Sequence, residues 1–200
     1  MLDEMTGSFE RQSIRAKRVF LRPLEPEDVE LIHRWHEDIE LRRLGGSLPR
    51  SLAEARARYE ARRSEKGQET FLFVICLLED GRRIGDMNLF EIDRVNGSAA
   101  LGIEIGERNL WGMGYGTEAV DALLDFAFGE LRLERVWLST AANNVRAQRS
   151  YEKSGFVVEG RLRHAFVERG GFIDEIRMSI LREEWLSLGR KRSWEYVAET

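Results

Sequence analysis

Trp111-Gly112-Met113-Gly114-Tyr115-Gly116-Thr117-Glu118 is the stretch on which the fold turns. Three glycines alternate with large residues. An apolar pattern of helical period follows at once in Ala119, Val120, Leu123, Leu124, Phe126 and Ala127, with Asp121 and Asp125 off it. Ahead of it, Leu101-Gly102-Ile103-Glu104-Ile105-Gly106 reads as a strand. Strand, glycine-rich turn and helix start together make an anion site. Glycine lets the backbone come close, and the unpaired N–H groups of a first helical turn point at whatever sits there. The ligand expected is a phosphate or pyrophosphate.

Two common phosphate loops fit less well. A P-loop needs Gly-Lys-Ser/Thr at the helix start, and Gly116 is followed by Thr117 and Glu118. A dinucleotide fingerprint, G-x-G-x-x-G/A, is met in one register, at Gly114, Gly116 and Ala119. The pattern alone therefore leaves a dinucleotide open. Its position argues against one, because the loop follows a sheet-rich half and opens no repeated βαβ series.

Working outward, 200 residues of 42% hydrophobic composition make one domain, able to bury roughly 70% of its unfolded surface. A net charge of −4 with both signs interspersed carries no basic footprint for nucleic acid. The longest apolar run, Phe71 to Leu78, is far short of a membrane span, and Met1-Leu2-Asp3-Glu4 lacks the start of a signal peptide. The one cysteine, Cys76, lies inside that run and reads as a buried inert thiol. A cytoplasmic protein is expected.

Residues 1–16 read as a loosely held segment, 17–185 as the domain and 186–200 as a polar tail. Arg18 to Leu24 is a first strand, closed by Pro23. Glu25-Pro26-Glu27-Asp28 then opens a helix with Val29, Leu31, Ile32 and Trp35 on its inner face. After a break at Gly45 to Pro49, Ser51 and Glu54 form a capping box for a second helix, to about Lys66. Thr70 to Glu79 and Arg83 to Glu91 form a hairpin about Asp80-Gly81, and Ala99 to Glu107 is the next strand. A helix over 114–129, a strand Arg135 to Ala141, a short helix capped by Asn144, and strands Phe156 to Arg163 and Phe172 to Leu181 complete an α/β (α+β) domain with a largely antiparallel sheet.

A second stretch, Asn144-Val145-Arg146-Ala147-Gln148-Arg149-Ser150-Tyr151-Glu152-Lys153-Ser154-Gly155-Phe156, puts Ala147 and Tyr151 on one helix face. Alone, Tyr151 reads as a core tyrosine. In this order and spacing, however, the two stretches resemble the GNAT superfamily of acyl-CoA-dependent N-acyltransferases. The loop is similar to the family's Q/R-x-x-G-x-G/A signature, departing from it at Trp111. The wording Trp-Gly-x-Gly-Tyr-x-Thr-Glu-Ala and the segment N-x-x-A/S-x-x-x-Y-E-K-x-G-F resemble the branch of ribosomal-protein alanine and spermidine N-acetyltransferases.

The resemblance, over roughly residues 18 to 185, implies a GNAT-like mixed sheet splayed at the acyl-CoA site. It also implies acetyl-CoA as cosubstrate and direct attack on its thioester by a primary amine. The acceptor would be a small-molecule amine or a protein N-terminus, and a homodimer is allowed for. The amides of Met113, Gly114, Tyr115, Gly116 and Thr117 would hold the pyrophosphate, with Trp111 and Gly112 also binding the cosubstrate. A backbone N–H near Ile105 or Gly106, where the family's strand bulges, would face the oxyanion, and Asn144 the pantetheine arm. Tyr151 would protonate the leaving thiolate. Glu104 is the first candidate for the base, with His164, Glu91 and His36 behind it. His33 and His36 have no ligand company in the sequence, so no metal is expected. Residues Trp35 to Pro49 and Phe166 to Phe172 would wall the acceptor site, with Glu37, Asp38 and Glu40 set to attract a cation. The rival reading is a CoA-binding module without catalysis.

Overall fold

The computed structural model describes residues 13–45, 48–64, 69–168 and 170–197. Gly46 and Ser47 of the expected break, the helix end at Lys66 and Gly67, and residues 1–12 of the expected loose segment lie outside them. Eight strands form one sheet: β1 (Ile14–Arg15), β2 (Val19–Pro23), β3 (Phe71–Leu77), β4 (Arg83–Asp93), β5 (Ser98–Ile105), β6 (Arg135–Ala141), β7 (Val157–Glu168) and β8 (Gly171–Leu181). Their spatial order is β1-β2-β3-β4-β5-β6-β8-β7, antiparallel throughout except for β5 beside β6. Phe73 to Leu77 are buried in succession, as befits a strand covered on both faces, and the thiol of Cys76 is pushed up to about 11 by burial.

Between β2 and β3 three helices form where two were expected: α1 (Val29–His36), α2 (Ile39–Gly45) and α3 (Leu52–Ser64). The extra break is local chemistry. The carboxylate of Asp38 accepts from the N–H groups of Glu40 and Leu41, which starts a new helix rather than continuing α1. Asp28 at the head of α1 is fully buried and gripped by Arg22 at 2.7 Å on each oxygen, with Arg83 at 3.0 Å. It therefore acts as a buried ion-pair anchor between α1 and the sheet.

The central helix is α4 (Tyr115–Asp125), and the residues up to Glu130 that were expected to prolong it form a wider π turn instead. Phe126 at that turn packs edge-on against Phe71 and Phe73. After β6 comes α5 (Val145–Lys153). β7 runs on to Glu168, beyond the expected Arg163, because its register shifts between Leu162 and Phe166 and lets pairing with β8 resume. The stretch 186–200, read as a polar tail, belongs to the packed structure as far as it is described. α6 (Arg182–Ser187) buries Trp185, and α7 (Ser193–Val197) follows. Asp125, 1% exposed, draws this segment in. It accepts from Trp185 Nε1 at 2.9 Å, from Arg190 at 2.8 Å and from the Ser193 N–H at 2.7 Å. The polar residues that made the segment look like a tail are the ones that satisfy a buried carboxylate.

One departure from a regular sheet positions the site. β5 and β6 pair only over Ser98 to Ala100 against Arg135 to Trp137, and beyond these the strands part. No register shift falls between Leu101 and Ile105, so the expected bulge is absent there. The irregularity of β4 against β5 lies at Phe90 to Asp93 instead, where Glu91 adopts φ 50°. The opening comes from divergence of the two strands, into which the heads of α4 and α5 project.

Candidate active site

The cleft between the diverging strands has a volume of about 1140 Å³. It is floored by β4 and β5, headed by α4 and α5, and walled on the far side by α1 to α3. At the head of α4, Gly112 and Gly114 take φ of 76° and 90°, a region that costs other residues dearly, and Gly114 caps the helix. Glu118 N–H bonds the Gly114 carbonyl, so the amides before it are the unsatisfied first turn. Gly112, Gly114, Gly116 and Thr117 line the cleft, whereas the Met113 carbonyl and the Tyr115 ring serve Arg18. That arginine donates to the Met113 carbonyl at 2.9 Å, stacks over Tyr115 and pairs with Glu118 at 2.7 Å. A Cβ on Gly116 would stand 3.6 Å from Ile105, in the space open to a ligand. The residues thus fit a pyrophosphate, held by backbone amides.

Trp111 lines the cleft too, but its indole N–H is spent on the Ile105 carbonyl at 2.7 Å and its ring carries Arg146 at 3.8 Å. It is a strut between loop and strand, which accounts for an aromatic residue where the family signature has a polar one. The two expected oxyanion donors separate here. Gly106 N–H is bonded to the Ile84 carbonyl at 2.9 Å, so it is not available. Gly106 instead makes room for Trp35, whose ring a Cβ would strike at 2.0 Å. Because hydrogen bonds alternate along an antiparallel pair, the amide of Ile105, one residue earlier, points away from β4 into the gap. The Ile105 carbonyl accepting from Trp111 on that side agrees with this.

α5 closes the opposite side. The Asn144 side chain accepts from Ala147 N–H at 3.3 Å as the helix cap, and the residue also lines the cleft. Thr117 and Ser150 hydroxyls meet at 2.8 Å and join α5 to α4. Tyr151 is 8% exposed and packs on Phe156, and it lines the cleft with no hydrogen-bond partner among the described residues. Burial pushes its phenol up to about 12, so it stays protonated at any working pH.

The floor holds a cluster that the sequence did not suggest. Asp86 and Glu104 are direct partners across the β4–β5 ladder, and His36 of α1 comes within 3.2 Å of Glu104. Asp86 Oδ1 is out of solvent without a hydrogen-bond partner. Burial first, and the Glu104 charge second, push its carboxyl up to about 7. Glu104 in turn raises His36, against the opposing effect of burial. His36 therefore has the ligand company its sequence neighbours lack, since donor atoms of the three residues lie within 4.8 Å of one another. Such a trio could hold a divalent ion, although its imidazole and one carboxylate already lie 3.2 Å apart as a charge pair. The remaining base candidates are elsewhere. Glu91 sits at the β4 irregularity, and His164 stacks its ring on Phe172 while its backbone N–H donates to the Asp174 carboxylate.

Of the residues expected to wall the acceptor site, His36, Glu37, Leu41, Leu44, Pro49 and Phe166 line the cleft. Of the three acids expected to attract a cation, Asp38 and Glu40 are bound to Arg108, and Glu37 alone lines the cleft.

Residues 18–157 match the family model described as the acetyltransferase (GNAT) domain. Spermidine N(1)-acetyltransferase of Escherichia coli K12 is 31% identical over 173 residues, 86% of this chain and 90% of its own length. An uncharacterised N-acetyltransferase of Bacillus licheniformis, p20, is 29% identical over 87% of this chain and 98% of its own. Among solved structures, spermidine N-acetyltransferase from Vibrio cholerae in complex with CoA and spermine superposes with a TM-score of 0.78. It does so at 29% identity, over 85% of this chain and 99% of that one. With these matches spanning most of its length, the chain belongs to the GNAT acetyltransferase family.

Proposed function

We propose that this acetyltransferase passes the acetyl group of acetyl-CoA to a primary amine by direct attack, with Tyr151 facing the leaving sulfur and the Asp86–Glu104–His36 cluster receiving the amine's proton. Bound acetyl-CoA supplies an activated thioester, and the family's chemistry needs no metal. The observation that carries the reading is convergence. Free first-turn amides of α4, the Ile105 amide, the Tyr151 hydroxyl and a carboxyl poised at about 7 all open on one cleft.

The roles follow from the chemistry of each group. The α4 amides bind the pyrophosphate, and Asn144 orients the pantetheine arm. The Ile105 N–H meets the negative charge that develops on the acyl oxygen, where a fixed donor needs no reorganisation. Glu104 is the base, and Asp86 opposite it shares the proton, because two adjacent carboxylates resist being charged together. Tyr151 donates a hydrogen bond to the sulfur as its charge grows. Full proton transfer from a phenol of about 12 to a thiolate of about 8.5 is uphill by about 5 kcal/mol, so stabilisation of developing charge is its main contribution.

Relatives named for spermidine make a polyamine the first acceptor to consider, and a small-molecule amine fits the size of the cleft better than a folded protein surface does. The Vibrio cholerae relative is described as dodecameric, and β7 is an edge strand with Val157, Val158, Leu162 and Val167 exposed. Both support self-association of this chain. A cytoplasmic location is part of the same proposal, supported by a single cysteine that is buried and unpaired.

The reading is tested by thiol release from acetyl-CoA across a panel of amines. Turnover is expected with at least one class of amine, falling about 10²-fold in Glu104→Gln with the acetyl-CoA Michaelis constant unchanged. Equal turnover in the variant would remove Glu104 from the mechanism.

A further inference from the structure

The far wall of the cleft is lined by arginines. Arg58 and Arg62 lie four apart on α3, on the same face as Ala55 and Tyr59, and that face lines the cleft. Arg42 of α2 and Arg50 ahead of α3 line it as well. Arg42 Nε is buried without a hydrogen-bond partner. Arg50 acts electrostatically on His36, and Arg62 on Asp86, so both guanidiniums reach the neighbourhood of the floor cluster. Against Arg42, Arg50 and Arg58 the described residues that line the same half of the cleft offer Glu37, Asp86 and Glu104. Glu104 is answered by His36, and Asp86 is only partly charged at neutral pH. The two further acids on this side, Asp38 and Glu40, are tied to Arg108.

We propose that the acceptor is an amine carrying an anionic group, a carboxylate or a phosphate, which Arg42, Arg50 and Arg58 hold while its nitrogen reaches Asp86 and Glu104. This rests on the acetyl-transfer reading of the same cleft. Guanidinium suits the purpose, because its planar fork binds a carboxylate or phosphate through two parallel hydrogen bonds and remains charged at all working pH. A polyamine seated with one nitrogen at the floor would lay its other ammonium groups along the arginines. Like charges in a partly desolvated cleft repel more strongly than in bulk water. The floor and the wall therefore divide the acceptor. The carboxylates take the reacting nitrogen, and the guanidiniums take a group of opposite sign a few bonds away.

The test compares amines that differ in the sign of their second charged group, using the full chain with acetyl-CoA and thiol release. The panel holds spermidine and 1,3-diaminopropane, against β-alanine, O-phosphoethanolamine and a tripeptide with an acidic second residue. The expected result is a kcat/KM at least about tenfold higher for one or more of the anionic amines than for either polyamine. Which of the three leads tells a free amino acid, a phosphate ester and a peptide N-terminus apart. Arg50→Gln and Arg58→Gln should each raise KM for that amine about tenfold, leaving kcat and the acetyl-CoA KM in place, and Arg58→Lys should restore part of the loss. Spermidine turned over faster than every anionic amine, or arginine variants that alter all acceptors alike, would overturn the proposal while leaving acetyl transfer standing. A chain that acetyl-CoA does not stabilise in a thermal-shift assay would overturn both.

Discussion

Tyr151→Phe removes one oxygen from a side chain that is otherwise core, packed on Phe156 at the end of α5. Turnover is expected to fall about 10²-fold, acetyl-CoA affinity to hold and the melting temperature to move little, because the hydroxyl has no partner to lose among the described residues. A lower melting temperature with turnover intact would make Tyr151 structural. Asp86 gives a prediction with a pH axis. Its folded carboxyl is pushed up to about 7 from the ordinary aspartate value of 3.8, so the fold binds more protons than the unfolded chain between those values. Its contribution to stability is therefore lost as pH rises through that window. His36, also raised, acts in the same sense at higher pH. Asp86→Asn should match the parent near pH 4 and melt higher than it at pH 8, while losing the acid limb of kcat near pH 7. A stability difference that ignores pH would contradict the shift. Tyr151 could be singled out in the chain because its neighbours form a motif, and Glu104 because strand alternation sets it opposite Ile103 and Ile105. Asp86 could not, because its meaning comes from lying opposite Glu104 in a register that no local pattern encodes. The sequence signal available was a carboxylate between Ile84 and Met87 in a strand that also carries Leu89.

At the scale of elements, the head of α4 and its far end behave differently. At the head, Gly114→Val meets both a left-handed φ and Arg18 at 3.1 Å, whereas Gly116→Val meets only ordinary contact with Ile105. Both are expected to weaken acetyl-CoA binding at least about tenfold by calorimetry, and only the first to cost stability, of order 1 kcal/mol or more. Equal affinity in both variants with circular dichroism unchanged would detach the loop from the cosubstrate. At the far end, Asp125 is held by α6, Arg190 and α7. Arg190→Met should destabilise by about 2 kcal/mol, short of the 3–5 kcal/mol of a fully orphaned charge because Arg192 stays 3.6 Å away. Chemical denaturation measures it, and a change within 0.5 kcal/mol would show that the pair adds nothing net. The helix start was legible because glycines and capping are local. The docking of residues 186–197 was not, since a polar segment satisfying a buried carboxylate looks the same in sequence as a solvated one.

For the whole molecule, the edge strand β7 and its exposed valines predict a solution mass by light scattering that is a multiple of the 23.2 kDa chain. Replacing Val158 and Leu162 with lysine should lower it toward a single chain, and an unaltered mass would move the contact elsewhere. The divergence of β5 from β6 has a different consequence, one that shows in hydrogen exchange. Alternation turns the amides of Ile103 and Ile105 toward an opening rather than a neighbouring strand, although both belong to the middle of an eight-stranded sheet. They should exchange with deuterium at rates normal for a loop, while Gly106, bonded to Ile84, is protected. Adding acetyl-CoA should slow the pair selectively, since the amide-bearing arm of the cosubstrate then fills the place of the strand that turned away. The sheet would be whole only while the donor is bound.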